Sequence, residues 1–169
     1  MIRTAIRSKN IDAGRLELEM TGTAAMEDRD RAQEILSLLR EGGVAITMDD
    51  FGLGSTSMFG LVELPFDRLK ICHQFVSGLG SNRKARAICS ALIALSDGLE
   101  AEIVAEGVEA AHEAALLRSM GARYFQGYYF ARPLTAQKFL ALANDLSFAR
   151  KIMEGFHNPE AVAERAAAG

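Results

Sequence analysis

Asp49 and Asp50 stand side by side at the end of an apolar run, Val44-Ala45-Ile46-Thr47-Met48, and Phe51-Gly52 follows them directly. The run reads as a buried strand. Both carboxylates then fall at its C-terminal end, the edge where parallel α/β proteins place their chemistry. Neighbouring carboxylates repel unless a positive charge lies between them or one of them takes up a proton. A divalent metal is the economical answer, because hard cations bind carboxylate oxygens. Other strand-like runs also carry polar groups at their ends: Glu19 on the first, Lys70 in the third, Glu106 after the fourth and Gln126 on the fifth. Four acids and a lysine converging on one rim would form a two-metal hydrolytic centre. Taken singly, each is better read as a solvated strand-end residue, and Asp49-Asp50 can be read as the start of a turn before Gly52. Five in register are harder to explain that way.

The elements that must position these groups alternate between β-type and helical patterns, which predicts βα units and a parallel sheet. The predicted strands are Leu16–Met20, Val44–Met48, Arg68–Cys72, Glu102–Ala105 and Tyr124–Gln126. A helix over Asp30–Arg40 has Ile35, Leu36, Leu38 and Leu39 on its apolar face and stops at Gly42-Gly43. A second, over Asn82–Ser96, has Ile88, Leu92 and Leu95 at helical spacing, with Ser81 or Asn82 as its N-cap. A third covers Ala111–Met120 and stops at Gly121, and Thr135 caps a fourth that runs to about Leu146. Residues 147–169 differ from the rest. Ser147–Phe156 makes one more amphipathic helix, Asn158-Pro159 ends it, and the Ala-rich remainder to Gly169 reads as a frayed tail.

The chain has 169 residues, 49% hydrophobic and 24% charged, enough for one domain with its own core. A net charge of −3 and a pI near 5.7 give no basic footprint for duplex nucleic acid. Cys72 and Cys89 are too few for a disulfide scaffold and lack zinc-type spacing. No signal-peptide apolar region opens the chain, and the longest apolar stretches are too short to span a bilayer. The default expectation is a cytoplasmic protein with no membrane contact.

Five stretches together resemble one family. Leu16-Glu17-Leu18-Glu19-Met20-Thr21, Asp49-Asp50-Phe51-Gly52-Leu53-Gly54, Leu64-Pro65-Phe66-Asp67-Arg68-Leu69-Lys70-Ile71, Val104-Ala105-Glu106-Gly107-Val108-Glu109 and Gln126-Gly127-Tyr128 follow the EAL-domain pattern in order and spacing. The resemblance runs from about Ile2 to Leu146. It implies a TIM-type (β/α) barrel and a role in bacterial cyclic di-GMP signalling, as a phosphodiesterase that opens cyclic di-GMP to linear pGpG. Carried over residue by residue, it makes Glu19 a ligand of one metal and Asp49 a bridge between two, with Asp50 and Glu106 serving the second. Lys70 would help hold the attacking water. Gln126 would support the metal-site water or the phosphate, and Asp49, Gln126 and Pro133 would line the ligand site. Mg2+ or Mn2+ is the implied cofactor, and cyclic di-GMP or pGpG the implied ligand.

The departures from the pattern bear on all of this. The strand that supplies a metal-binding glutamate in the family, and the next one with a metal-binding asparagine, have no counterpart in these 169 residues. A TIM barrel takes roughly 250 residues, so the expected architecture is an incomplete barrel of about five parallel strands with flanking helices. Residues 1–146 would form a partial EAL domain and residues 147–169 a helix and tail. Where the family has a second glutamate three residues after the first, this chain has Gly22. Where the family reads Lys-Ile-Asp, it has Lys70-Ile71-Cys72, and a thiol is a soft ligand ill matched to hard cations. Leu53 stands where threonine is common. The first metal would lose at least two ligands, so hydrolysis is expected to be weak or lost. The alternative is a catalytically inactive scaffold or ligand-sensing module that acts through protein contacts.

Other residues read plainly. Cys72 and Cys89 are expected in the core, with metal binding or redox sensing by Cys72, or a Cys-His site with His73, as minority readings. His112 and His157 suit the surface, as do Arg83, Lys84 and Arg86, although that basic cluster could also meet phosphates. Phe125, Tyr128, Tyr129 and Phe130 read as core rather than a base-stacking platform. An open five-stranded sheet would leave two unpaired edges and an uncovered face, which predicts a homodimer, a higher oligomer or a partner protein. The segment to Asn10 and the stretch Phe148–Phe156 could cover part of that face.

Overall fold

A computed structural model of the chain describes residue 6, residues 8–51 and residues 63–157. The turn Gly52-Leu53-Gly54, most of the segment expected to cover the inner face, and the tail from Asn158 lie outside the described residues. The described residues include five strands: β1 (Glu17–Thr21), β2 (Ala45–Phe51), β3 (Arg68–Ile71), β4 (Glu102–Glu106) and β5 (Tyr124–Gln126). They form one parallel sheet in the order β1-β2-β3-β4-β5, which is not closed among the described residues. Among the described residues the α-helices are α1 (Gly22–Glu27), α2 (Arg29–Glu41), α3 (His73–Val76), α4 (Arg83–Gly98), α5 (Ala111–Ser119), α6 (Ala136–Ala143) and α7 (Leu146–His157). None among the described residues is long and apolar enough to cross a membrane. The chain divides into two compact units, Met1–Cys72 with Ala94–Val104 and His73–Ile93 with Ala105–Gly169.

In the first unit, alternation along the strands sets the two faces of the sheet. Ile46, Met48, Leu69, Ile71 and Ile103 point to one face and are buried. Glu17, Glu19, Thr47, Asp49, Arg68, Lys70 and Glu102 occupy the alternate positions. Register aligns them: Glu19 pairs with Thr47 and Thr21 with Asp49 across β1 and β2, and Thr47 pairs with Arg68 across β2 and β3. At the opposite end of β2, Asp67 ties three elements together. Its carboxylate accepts from Arg40 Nε and Nη2 at 3.0 and 2.8 Å and from the Ile46 N–H at 2.8 Å, and its carbonyl accepts from the Glu102 N–H at 2.9 Å.

Helix boundaries follow their caps. Asp28 accepts the Arg31 N–H at the start of α2, and Asn82 accepts those of Lys84 and Ala85 at the start of α4, which settles the choice between Ser81 and Asn82. Helix faces depart from expectation. On α2 only Leu36 is buried, while Ile35 and Leu38 are exposed. On α4 the buried stripe is Ala85, Cys89, Leu92, Ile93 and Ser96, and Ile88 is exposed. The stripe keeps the i, i+4, i+7 spacing but runs through small residues, which let the helix sit close to its neighbours. The helix expected from Thr135 to about Leu146 ends earlier, at Ala143, and the helix expected over Ser147–Phe156 is α7. Thr135 caps α6, Asn144 Nδ2 donates back to Leu140 O, and Asp145 accepts the Ser147 and Phe148 N–H groups to start α7. A hydrogen bond from the Ser147 side chain, followed by those two backbone bonds, holds the Asp145 carboxyl below its usual range.

Cys72 and Cys89 are both buried, in keeping with the core reading. Burial pushes the Cys89 thiol up to about 11, so it stays protonated at neutral pH and forms little nucleophilic thiolate. Native protein at pH 8 is expected to leave Cys89 unlabelled by a maleimide over hours, and urea to expose it. Peptide mapping of the labelled protein checks this, and rapid native labelling of Cys89 would contradict it.

Candidate active site

The polar face of the first unit carries two layers of side chains. In the layer nearer the strand starts, Arg68 Nη1 donates to Glu17 Oε2 at 2.5 Å and Nε to Glu102 Oε2 at 2.8 Å. Thr47, fully buried, donates its hydroxyl to Glu17 Oε1. The hydrogen bond to Glu102, followed by the charge of Glu17, raises the already high pKa of Arg68 against the opposing effect of its burial. The layer nearer the strand ends holds Glu19, Asp49 and Lys70. Lys70 Nζ lies 3.1 Å from Glu19 Oε2 and 3.4 Å from Asp49 Oδ1. The lysine side chain is 3% exposed, against 49% for Glu19 and 24% for Asp49.

The adjacent acids of β2 do not share this environment. Pairing with β3 shifts register between Met48 and Phe51, and Asp50 takes a positive φ of 54°. Such a bulge turns successive side chains in new directions and is frequent beside active sites. Asp49 stays half-buried beside Lys70 while Asp50 is exposed, and Asp49 Oδ1 accepts the Asp50 N–H at 2.9 Å. Aspartate tolerates the left-handed conformation better than most residues. No sequence signal marks the bulge.

Two of the departures from the expected pattern sit at the ends of these strands. Gly22 is the first residue of α1, buried behind the cap that Thr21 Oγ1 makes with the Ala24 N–H. Cys72 follows β3 and is buried.

The second unit contributes Glu106 as the last residue of β4 and Gln126 as the last of β5. Both line a pocket of about 340 Å3, with His73, Gly107, Glu109, Gly127 and Tyr128. Two glycines allow the backbone to form it. Gly107 has φ +72°, and a Cβ there would meet the His73 ring. Gly127 lies against the Val108 backbone, whose N–H donates to Gln126 O and whose carbonyl accepts from Tyr129 N–H, both at 3.0 Å. His73 Nδ1, in the tautomer that carries its proton there, donates to Gly107 O at 3.3 Å. The loop after β4 is also held by Glu113. This buried carboxylate accepts the Glu109 and Ala110 N–H groups at 2.9 and 3.1 Å. A glutamate three residues into a helix was the available signal for that cap.

Several expected placements differ. None of Phe125, Tyr128, Tyr129 and Phe130 is fully buried, because β5 has only three residues and the chain leaves the sheet at once. Tyr128 is 53% exposed, with the Arg132 guanidinium 4.6 Å from its ring centre, a cation–π contact. Tyr129 and Phe130 make an edge contact at 5.1 Å. Pro133 is exposed; His112, Arg83, Lys84 and Arg86 are exposed as expected.

The donors of the upper layer are hard carboxylate oxygens, right in kind for Mg2+, Mn2+ or Ca2+. They fall short in number. Among the described residues no three or more of His, Cys, Asp or Glu gather where they could hold a metal ion, and the charge between Glu19 and Asp49 is already Lys70's. In the first unit Glu19, Asp49 and Lys70 are brought together, and in the second Glu106 and Gln126 line one pocket.

The EAL domain family model matches residues 1–133. Cyclic di-GMP phosphodiesterase NbdA of Pseudomonas aeruginosa is 38% identical over 133 residues, covering 79% of this chain and 17% of that protein. The solved PaMucR phosphodiesterase in complex with c-di-GMP superposes with a TM-score of 0.77 at 37% identity, covering 82% of this chain and 56% of that one. BlrP1 of Klebsiella pneumoniae, solved as a manganese complex with cy-diGMP, has a TM-score of 0.72 at 28% identity, over 78% of this chain and 34% of that one. The chain thus spans about a fifth or less of such curated relatives. With the five motifs in order, the parallel sheet and these matches, the chain belongs to the EAL domain family of cyclic di-GMP signalling and is related to its phosphodiesterases.

Proposed function

We propose that this chain binds cyclic di-GMP or its product pGpG at the C-terminal ends of its strands, with hydrolysis weak or lost. The observation that carries the reading is the upper layer of the first unit. Glu19 and Asp49 close on Lys70 rather than on an open cation position, and no third described acid joins them. In the family's reaction a divalent metal lowers the pKa of the attacking water and offsets charge developing on phosphorus. Glu19, Asp49, Asp50 and Glu106 would be the residues to hold Mg2+ or Mn2+ here, on a weakened site. Lys70 would position the water, and Gln126 would hydrogen-bond the phosphate. Asp49, Gln126 and Pro133 would border the ligand. The pocket beside Gln126 and Glu106 supports the binding half of the reading, since it offers acceptors and a half-exposed ring to a guanine dinucleotide.

An inactive scaffold acting through protein contacts has its own support. Phe139, Leu140, Leu146 and Met153 are large apolar residues left exposed on α6 and α7, a face suited to a homodimer or a partner protein.

The test is incubation of the purified chain with cyclic di-GMP and Mn2+ or Mg2+, with chromatography for pGpG, beside calorimetric binding of cyclic di-GMP. Asp49→Asn is the control. The expected result is binding by the native chain, with pGpG formed at a rate within about tenfold of the Asp49→Asn background. Product well above that background would restore the phosphodiesterase. Absence of binding would favour the scaffold.

A further inference from the structure

β3 presents a cation between two acids twice in succession. Arg68 lies between Glu17 of β1 and Glu102 of β4, and two residues on Lys70 lies between Glu19 of β1 and Asp49 of β2. The spacing of two puts both cations on the same face of the strand. In the upper layer the carboxylates come from the neighbouring strands β1 and β2, so without the cation two acids would face each other across the sheet; in the lower layer they come from β1 and β4, on either side of Arg68. The lower layer is complete as it stands, with Arg68 hydrogen-bonded to both partners. The upper layer has the same form, with one ammonium within ion-pairing distance of both oxygens. Lys70 is 3% exposed, and a charge that deep persists only when paired.

We propose that Lys70 is the built-in counter-ion of the Glu19/Asp49 pair, the position a divalent cation would otherwise fill, so that this part of the fold is complete without metal. The inference goes beyond the ligand-binding reading and stands or falls separately from it, because it concerns what neutralises the acids whether or not a dinucleotide binds. A divalent ion that entered between Glu19 and Asp49 would have to displace the ammonium, so the lysine and the cation compete for one place.

Thermal unfolding of the whole chain, in EDTA and in millimolar MnCl2, reads this without any activity. The native chain is expected to melt within about 2 °C in the two conditions. Lys70→Met leaves the two acids unpaired and is expected to melt roughly 10 °C lower in EDTA. Mn2+ should return at least half of that loss by taking the vacated place. Adding Glu19→Gln to Lys70→Met removes one of the two negative charges, and the double variant should recover stability in EDTA and no longer respond to Mn2+. If Lys70→Met does not fold in EDTA, refolding in Mn2+ or in the double variant is the expected result. A native chain raised several degrees by micromolar Mn2+ would overturn the proposal. So would a Lys70→Met chain that ignores Mn2+, or a double variant no more stable than the single one.

Discussion

Gly127→Ala is expected to destabilise the chain by about 3 kcal/mol, lowering Tm by roughly 10 °C. The new Cβ would fall inside the backbone of Val108, on its N, C and O atoms. A side chain in that place could swing aside, but Val108 cannot. Its N–H is donated to Gln126 O and its carbonyl accepts the Tyr129 N–H. Moving it breaks the two hydrogen bonds that join the loop after β4 to the turn after β5, and a lost backbone pair is among the larger single losses in a fold. The same shift would open the pocket that Glu106 and Gln126 share, so ligand binding should weaken with stability. Gly107→Ala offers the comparison. Its Cβ meets the His73 ring, a side chain that can rotate, and the remaining penalty is the left-handed φ, so a smaller loss is expected. Calorimetric unfolding of the two variants decides the matter. A Gly127→Ala chain that melts within about 2 °C of the native one would contradict this account of the turn.

The strands were legible because each is a short apolar run next to a polar end. All five lie within two or three residues of their expected bounds, and Tyr124–Gln126 coincides. Glu19 and Lys70 were readable as polar groups on their strands, and the register through β2 is what puts them on one face. What alternation does not carry is the bulge in β2. Counting residues makes Asp49 and Asp50 opposite neighbours on a flat strand, whereas the register shift and the positive φ at Asp50 separate a half-buried acid from an exposed one. Helix faces were misread where apolar content was taken for burial. Ile35, Leu38 and Ile88 have the right spacing and the wrong side; on α4 the buried side is taken by Ala85, Cys89 and Ser96, which allow closer packing than branched residues would. The short helices α1 and α3 have too few residues for any period to show. In the candidate site the residue types were readable. That Lys70 answers the acid pair depends on which atoms approach within about 4 Å, and spacing along the chain does not contain that.

Arg68→Leu is expected to destabilise the chain by about 2 kcal/mol, the larger part of a broken buried pair being screened by partial exposure. Arg68, Glu17 and Glu102 are 29, 34 and 45% exposed, so the full penalty of an unpaired buried charge does not apply. Three features keep the loss above that of an ordinary surface ion pair. Two acids lose their counter-ion at once, and both then face the same emptied place. Thr47, fully buried, is bonded to one of them and cannot turn to water. The guanidinium also engages two strands through separate nitrogens, Nη1 toward β1 and Nε toward β4. Lysine concentrates its charge at one atom and cannot reproduce that fork, so Arg68→Lys should recover less than half of the loss. Urea unfolding at low and high salt separates the contributions. A loss nearly unchanged by salt is expected from the packed and hydrogen-bonded part, while a loss that disappears in molar salt would reduce Arg68 to a screened surface charge. Because Glu17 and Glu19 are on one strand and Arg68 and Lys70 on another, loosening the lower layer frees β1 to shift against β3. The distance between Lys70 and Glu19 should then lengthen, and Arg68→Leu would weaken the upper layer that the ligand reading depends on, without touching it directly.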